Sequence, residues 1–451
     1  MFGGVAGVKV KVETYLGTTL YCPFPIDLST ELPFVAQVEH RRPRPVLEVS
    51  GVDPLPEFTL YPLPDQVADK ICAMYERHGP TATPSSRFRD LVDLVLIVSN
   101  FELALEELPA HRERGNPMKK LINAPDRVVT DMLSGYLRAY AGKLKQVPEV
   151  PGVVLQEKKD KVAVLIGGGS GHEPLFLGFI GEGLSDGVAL GHVFASPPPT
   201  TIHEVTKAVD AGKGVLYVYG NYAGDNLNFD MAAEFSELDD ITVASIRVWD
   251  DVASAPPERT QDRRGIAGDV FVIKIAGAAA TRGMPLQEVV DVATRARDNC
   301  RSIGIALSPG SIPGSGKPTF TIEDDMMEFG MGLHGEPGVK RTELLPAADC
   351  ARTMVNHLLE DLPLGAGDSV VVLVNGLGST TLMEQYIINN TVAEILAEKG
   401  VRVHETLVGS YCTCQEMAGV SLSFLRLDDE LTSLWDDPCD APHLKKSAVS
   451  R

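Results

Sequence analysis

The 451-residue chain lacks the features of membrane, secreted and nucleic-acid-binding proteins. No uninterrupted apolar run approaches the roughly 20 residues that a helix needs to cross a bilayer. The N-terminus has neither a charged region nor a long apolar core, so we expect no signal peptide. The seven cysteines are scattered and odd in number, which indicates reduced thiols. Together with a net charge of −20, which argues against broad binding to phosphate backbones, these absences favour a soluble enzyme of the cytoplasm.

Nucleotide-binding motifs are also missing. The glycine-rich segment at residues 167–171 is not followed by the Gly-Lys-Ser/Thr of a P-loop. A dinucleotide fingerprint that starts at Gly169 finds Pro174 in its last position, and a nucleophile elbow around Ser170 finds His172 there. We therefore expect no ATP site on this chain.

Metal-binding patterns are weak. Cys412 and Cys414 are two residues apart, but no second Cys or His pair stands at ligand spacing. The alternation along residues 408–423 predicts instead that both thiols lie on a strand. The acidic pairs at residues 250–251 and 324–325 lack the alternating ligands of a calcium loop, and we interpret them as solvated loop carboxylates. The sequence thus predicts no bound metal.

The pattern of predicted secondary structure changes near residue 115. Residues 1–108 combine short strand-like runs with helices predicted over residues 65–79 and 85–97, and the polar residues 109–117 form a predicted linker. From Met118 a predicted helix runs to about residue 145, and strand, loop and helix then alternate. Predicted strands are residues 162–166, 215–219, 241–248, 301–307, 369–374, 401–407 and 420–427, with a long helix at residues 269–282. This order predicts two α/β domains, residues 118–297 and 298–451, behind a small α+β extension, with a largely parallel sheet in the first.

Two strand ends carry titratable side chains. The strand at residues 162–166 runs into glycines, which predicts a sharp turn with free N–H groups, and His172 follows at once. The strand at residues 215–219 leads into a Gly/Asn-rich loop with Asp225. In a parallel sheet both loops lie at one edge, where an Asp near a His orients it, raises its basicity or shares proton transfer. The alternative for Asp225, a cap of the following helix, is equally compatible with the spacing.

A third motif surrounds His334, which lies among four glycines in residues 329–338. Glycines allow the backbone and a ligand to approach closely. A neutral imidazole held by such a loop can act as a nucleophile. The alternative interpretation is a histidine that merely occupies a turn.

Six segments carry a resemblance to a known family. They are Gly-Gly-Gly-Ser-Gly-His-Glu-Pro at 167–174, Phe-Ala-Ser-Pro at 194–197, Asn-Tyr-Ala-Gly-Asp at 221–225, Arg-Arg-Gly-Ile-Ala at 263–267, Ser-Ile-Gly-Ile-Ala-Leu at 302–307 and Gly-Leu-His-Gly-Glu-Pro-Gly at 332–338. In this order they resemble the K subunit of dihydroxyacetone (glycerone) kinases, over residues 118 to about 442. The resemblance implies a K-subunit fold of two α/β domains and phosphorylation of a short ketose.

The resemblance also implies roles for individual residues. His334 matches the histidine that adds to the ketone carbon and forms a covalent hemiaminal. His172 and Asp225 match the pair that handles the proton of the hydroxyl being phosphorylated. The residues that match the turn lining the substrate are Gly169, Ser170 and Gly171.

The family's K subunit works with partners. It binds no nucleotide itself; a separate L subunit holds ATP or ADP with magnesium, and the K subunit forms a homodimer. Many members have a substrate-contacting lysine where this chain has Gly220, so we expect a larger or differently oriented ketose, for example a tetrulose such as erythrulose. The alternative is a ketose-binding regulatory protein without kinase activity; the presence of His172 and Asp225 favours catalysis.

The N-terminal 108 residues resemble a different family. Residues 65–74 and 85–94 are similar to the C-terminal half of AbiEii-type nucleotidyltransferase toxins, with Lys70 and Asp90 at matching positions. The Gly-Ser motif and metal-binding acids of that family are not found. We therefore expect no nucleotidyl transfer, and interpret the extension as a fusion or a misjoined reading frame with Met118 as the original start.

Overall fold

The computed structural model describes residues 120–315 and 318–448, together with six short strands before residue 85. The chain divides into two compact units, residues 1–113 and 114–451. In the first unit the described strands form three antiparallel pairs: β1 (Gly7–Leu16) with β2 (Thr19–Ser29), β3 (Glu39–Arg41) with β4 (Phe58–Leu60), and β5 (Arg77–His78) with β6 (Thr83–Pro84). β5 lies within the helix predicted over residues 65–79, so that prediction is wrong at residues 77–78. The rest of that range and the helix predicted over residues 85–97 lie outside the described residues.

The first sheet of the second unit has six strands: β7 (Leu144–Gln146), β8 (Gly152–Leu155), β9 (Ala163–Ser170), β10 (Gly187–Val193), β11 (Val215–Gly220) and β12 (Val243–Val248). Their order is β12-β11-β9-β10-β8-β7. The first four in this order are mutually parallel, and β8 and β7 are antiparallel. The predicted largely parallel sheet is confirmed, and β9 and β11 end at the same edge.

Five helices accompany this sheet: α1 (Val128–Ala139), α2 (Pro199–Val209), α3 (Ala223–Leu238), α4 (Asp269–Thr281) and α5 (Leu286–Asp298). α1 is shorter than predicted. A 3-10 turn that opens with Pro125 precedes it, and Gly142, with φ 86°, follows it before β7 starts. Proline at a first turn and left-handed glycine after a last turn are the usual limits of a helix.

The second sheet also has six strands: β13 (Cys300–Ser308), β14 (Met326–Phe329), β15 (Lys340–Glu343), β16 (Ser369–Gly376), β17 (Arg402–Gly409) and β18 (Ala418–Leu427). Their order is β15-β14-β13-β18-β16-β17. Only the β16–β17 pair is parallel. Helices α6 (Ala347–Asp361) and α7 (Leu382–Glu398) pack on it, and α7 starts with a capping box formed by Thr381 and Glu384.

α4 belongs to a core shared by the two sheets. Its residues 269–280 are all buried, and their apolar side chains join one cluster with residues of β9 and β11 and with Val371 and Leu373 of β16. A helix that is apolar on every face needs such an enclosed position. The C-terminal part, α8 (Asp429–Trp435) and the β19 (Cys439–Asp440)–β20 (Lys445–Lys446) hairpin, closes it: Lys274 Nζ donates to the Leu434 carbonyl at 2.9 Å. The predicted α/β fold class is confirmed, with two sheets in one compact unit, residues 114–451.

Within the part of the chain that the structure describes, no helix is both long and apolar enough to cross a membrane.

Candidate active site

The glycines after the apolar part of β9 belong to the strand itself. β9 remains paired with β10 through Gly169 and Ser170, so the turn predicted at residues 167–171 is confined to Gly171. The prediction of free N–H groups is wrong there as well, because the Gly171 N–H donates to the Glu173 carboxylate at 2.9 Å. The backbone turns at Gly171, whose φ of 101° suits glycine alone. A Cβ on Gly169 would lie 2.8 Å from the Ala195 backbone nitrogen. Close packing of backbone against backbone therefore requires that glycine.

His172 follows this turn and is 4% exposed. Its orientation is set by a loop of the second sheet, residues 410–417 between β17 and β18. His172 Nδ1 lies 2.7 Å from the Thr413 carbonyl oxygen, and the Thr413 backbone nitrogen donates to the His172 carbonyl at 3.2 Å. No hydrogen bond between Asp225 and His172 is found among the described residues, so of the roles considered for Asp225 the orienting one belongs to Thr413.

The same loop contains Cys412 and Cys414, so the strand predicted over residues 408–423 is wrong in its middle. Both thiols are buried, and Cys414 Sγ contacts the Leu333 carbonyl oxygen. Buried Asn375, near the end of β16, holds the loop: its side-chain oxygen accepts from the Tyr411 and Cys412 backbone nitrogens at 2.8 and 2.9 Å. Hydrogen bonds to the Asn375 side chain in β16 thus hold this loop in place of the backbone pairing of a strand.

His334 lies in the loop between β14 and β15. Its Nε2 is 3.0 Å from Nε2 of His172, and its Nδ1 is 3.2 Å from Oε1 of Glu336. Aromatic rings flank it edge-on, with centroids 5.3 Å away for Phe194 and 5.1 Å for Tyr222. Contacts on both nitrogens and on the ring hold the imidazole in one orientation.

The hydrogen-bond partners of His172 and His334 determine which of their ring nitrogens carry a hydrogen. The Thr413 carbonyl only accepts, so His172 Nδ1 carries a hydrogen. Burial, and then the proximity of His334, lowers the pKa of His172 to about 3, so its Nε2 is an unprotonated acceptor. His334 Nε2 consequently donates to His172. Its Nδ1 also donates, because burial, which raises the pKa of Glu336, is outweighed by His334 and Arg264, and that pKa falls to about 2.

Charged side chains next to Glu336 stabilise its carboxylate. The Arg264 guanidinium lies 4.0 Å from Glu336 Oε2, and its Nε donates to Asp251 Oδ2 at 3.0 Å. An added Cβ at Gly332 would strike both the Glu336 carboxylate and the Arg264 guanidinium, so a side chain there would displace these charged groups. Asp250 and Asp251 are 0% and 1% exposed, which makes the interpretation of this pair as solvated carboxylates wrong. The pair at residues 324–325 is exposed as predicted.

Asp225 lies in the first turn of α3, directly after β11. The helix N-cap is Tyr222, without a side-chain cap hydrogen bond, so Asp225 is not the N-cap residue. Burial raises the pKa of Asp225 to about 6, against the lowering influences of Ser196 and His334. A carboxylate with this pKa is suited to accept a proton near neutral pH.

One cavity of about 250 Å³ brings these groups together. Of the predicted site residues, Gly169, His172, Gly220, Asp225 and His334 line it. Ser170 and Gly171 are not among its lining residues, and the Ser170 hydroxyl donates to the Gly191 carbonyl at 2.8 Å. Lining residues that sequence reasoning did not predict include Phe176, Phe194, Ser196, Tyr222, Gly265 and Asp269. The volume is just below the usual range for drug-sized ligands, about 300–1,000 Å³, and so suits a small molecule.

The cavity wall contains unsatisfied polar atoms. Tyr222 Oη, Asp225 Oδ1 and Asp269 Oδ1 are buried without a hydrogen-bond partner, and all three residues line the cavity. Buried polar groups are normally paired. A small polyhydroxylated ligand would supply the missing partners.

Residues 120–315 and 318–448 contain no group of three or more His, Cys, Asp and Glu side chains that could hold a metal.

Fold and site define a two-sheet α/β protein with a small polar pocket built around two histidines. The Dak1 domain matches residues 134–443, and the chain belongs to this family. A second match, to the nucleotidyl transferase AbiEii toxin of type IV toxin–antitoxin systems, spans residues 2–152. It confirms the resemblance of the N-terminal residues and extends past the predicted boundary at residue 108.

Individual relatives agree with the family. The dihydroxyacetone-binding subunit DhaK of the PTS-dependent dihydroxyacetone kinase 2 of Listeria innocua is 46% identical over 332 residues, which cover 73% of this chain and 99% of the relative. The L-erythrulose kinase of Pectobacterium atrosepticum is 40% identical, with 74% and 57% covered. The native dihydroxyacetone kinase of C. freundii superposes with a TM-score of 0.67 at 32% identity, over 74% of this chain and 61% of that one.

Proposed function

We propose that this chain is the ketose-binding subunit of a dihydroxyacetone-type kinase. The observation that carries the proposal is the 3.0 Å contact between Nε2 of His334 and Nε2 of His172 in a cavity that also contains Asp225. The nitrogen nucleophile of His334, the accepting nitrogen of His172 and the carboxyl of Asp225 surround a small polar space. This arrangement suits a ketone that carries hydroxyls. The family and the dihydroxyacetone- and erythrulose-specific names of the relatives support the same substrate class.

Capture begins at His334. As the ketose approaches the two histidines, the Nε2 proton of His334 is relayed through His172 Nε2 to the ketone oxygen, and the freed lone pair attacks the ketone carbon. A nitrogen–carbon bond forms, the carbonyl π bond breaks, and the oxygen takes the proton from His172 to become a hydroxyl. The positive charge stays on the His334 ring, opposite the Glu336 carboxylate. Atoms and charge balance without a cofactor.

Phosphoryl transfer follows at a terminal hydroxyl. Asp225 accepts the hydroxyl proton as the oxygen attacks the terminal phosphorus of the donor, and the bond from phosphorus to the leaving group breaks. The sequence has no P-loop, so we propose that an L-type partner subunit carries ATP with magnesium and presents it at the pocket. A homodimer of this chain and a cytoplasmic location belong to the same proposal.

Intact-mass spectrometry tests the capture step without a partner. We expect the full chain, mixed with dihydroxyacetone or erythrulose, to gain the whole mass of the ketose, because addition to a ketone loses no water. His334→Ala should gain none, while His357→Ala, a change at a partly exposed histidine of α6, should behave as the unchanged protein. An adduct that persists in His334→Ala would contradict the proposal.

Turnover tests the kinase against the regulatory alternative. With an added L-type subunit and ATP, we expect ketose-dependent ADP release, and neither His334→Ala nor Asp225→Asn should restore more than a small fraction of it. Adduct formation without any turnover in the unchanged protein would favour a ketose-binding regulator.

A further inference from the structure

Asp269 has an unusual environment for a carboxyl group. It is the first residue of α4 and is 2% exposed, yet it lines the cavity. Its Oδ1 has no hydrogen-bond partner, and no ion pair is formed by it among the described residues. Structural buried carboxyls such as Asp250 accept backbone N–H groups, here from Ile266 and Gly268 at 2.9 and 2.8 Å. The start of a helix suits an acidic residue, but the fold leaves this buried oxygen without a partner.

Gly220 exposes this carboxyl to the cavity. A Cβ at Gly220 would lie 3.4 Å from Asp269 Oδ2 and 3.5 Å from the Gly265 carbonyl oxygen. Any larger side chain would therefore extend over the carboxyl and separate it from a ligand. Because residue 220 is glycine, the space in front of Asp269 stays open.

The charges near Asp269 favour its protonated form. Burial, and then the carboxylates of Asp250 and Asp225, raise its pKa well above the ordinary 3.8. A protonated carboxyl both donates and accepts hydrogen bonds. It can bind a neutral hydroxyl without a countercharge.

The cavity wall offers hydrogen-bonding groups beyond those that the capture step uses. Tyr222, Asp225 and Asp269 each present one unpartnered atom. Dihydroxyacetone has two hydroxyls beside its ketone, whereas a tetrulose has three. Asp269 has no part in the capture or in the proton transfer to Asp225, so it is free to pair with the additional hydroxyl.

We propose that Asp269, uncovered by Gly220, is a specificity-determining residue whose carboxyl binds the additional hydroxyl of a tetrulose. The inference rests on the proposed ketose-binding function and adds to it the residue that selects the longer substrate. Sites built to hydrogen-bond a substrate hydroxyl discriminate strongly against analogues that lack it, because the protein group is then left unpaired.

The test measures affinities of the full chain for erythrulose and for dihydroxyacetone by calorimetry, with intact mass as a second readout. We expect the unchanged protein to prefer erythrulose, and Asp269→Ala to lower the ratio of the two affinities about tenfold, as loss of one hydrogen bond predicts. Asp269→Asn, which still donates and accepts, should retain most of the preference. Asp291→Ala, at an exposed position of α5, should leave the ratio unchanged.

Gly220→Ala is an independent test of the same proposal. The added methyl group keeps Asp269 but covers it, so the ratio should fall in the same direction. A preference of the unchanged protein for dihydroxyacetone, or an equal loss of both affinities in Asp269→Ala and Gly220→Ala, would overturn the specificity role while leaving ketose binding intact. Absence of either ketose adduct in the unchanged protein would instead overturn the proposed function and this inference with it.

Discussion

Nε2 of His172 and Nε2 of His334 lie 3.0 Å apart, although 162 residues separate the two histidines in the chain. One imidazole follows β9 of the first sheet, and the other lies in a loop of the second. Without a ketose, the two Nε2 atoms are hydrogen-bonded to each other. A ketose that enters the pocket replaces a nitrogen–nitrogen hydrogen bond by a nitrogen–carbon bond, with the accepting histidine already positioned for the proton.

Glu336→Gln tests how His334 is positioned. The amide keeps the size of the side chain but removes the charge opposite the ring. A hydrogen bond to a charged group is worth about 1.5–3 kcal/mol, so ketose turnover should fall by roughly tenfold to a hundredfold. The fall should appear in kcat and in the rate of adduct formation. Glu398→Gln, at the exposed end of α7, serves as the control, and an equal effect of both changes would contradict the role of Glu336.

The pH dependence of turnover tests Asp225. Its pKa is raised to about 6, and only the ionised form accepts a proton, so kcat/KM should fall as the pH drops through about 6. Asp225→Asn should lower the rate by about a hundredfold to ten-thousandfold and abolish this acidic limb. A pH profile of kcat/KM between pH 5 and 8 checks both. An unchanged acidic limb in the variant would assign the ionisation to another group.

Asp269→Asn should stabilise the ligand-free protein. The pKa of Asp269 is raised in the folded state, so its stabilising contribution is complete below the unfolded pKa of about 3.8 and is lost as the pH rises above it. The loss amounts to about 1.4 kcal/mol per pH unit until the folded group ionises. Melting temperatures of variant and unchanged protein should coincide near pH 3.5 and diverge toward pH 6. A variant that melts lower at pH 6 would contradict the unpaired carboxyl.

Asp361→Ala tests the ion cluster of Arg263, Arg301 and Asp361. Arg263, 1% exposed, donates to both carboxylate oxygens of Asp361 at 2.9 and 2.5 Å, and Arg301 contacts the same carboxylate. Removal of the carboxylate leaves buried guanidinium charge uncompensated, which costs about 3–5 kcal/mol. Denaturant unfolding should show this loss, against a small change for Asp349→Ala at the exposed start of α6. Equal stability of the two variants would contradict a structural role.

Much of the fold could be predicted because its signals are local. The strand predicted at residues 215–219 is β11 to within one residue, since a fully buried parallel strand is a continuous apolar run. The helix predicted at residues 269–282 is α4 to within one residue as well. The loop at residues 410–417 has the alternating pattern of a strand because its two cysteines are buried, and the sequence therefore predicts a strand there. The hydrogen bonds that form the loop come from Asn375, which is distant in sequence.

The site could be predicted in part for the same reason. The sequence placed His172 and Asp225 at one sheet edge, since parallel strands end together. The orienting contact of His172 with Thr413 could not be found, because it joins residues 241 apart in the chain. Asp269 carried no local signal either: an acidic residue at the start of a helix is ordinary.

By itself the sequence determined the two strands that bear the site, the common sheet edge at which they end, the helix α4, and the residue types able to capture a ketone. Backbone periodicity and glycine placement act over a few residues, so these properties can be inferred locally. The tertiary structure decided which nitrogen of each histidine is free, which carboxyl is left unpaired, and how large the pocket is. Those properties depend on the packing of two sheets around α4, where groups far apart in the chain set each other's hydrogen bonds and charge.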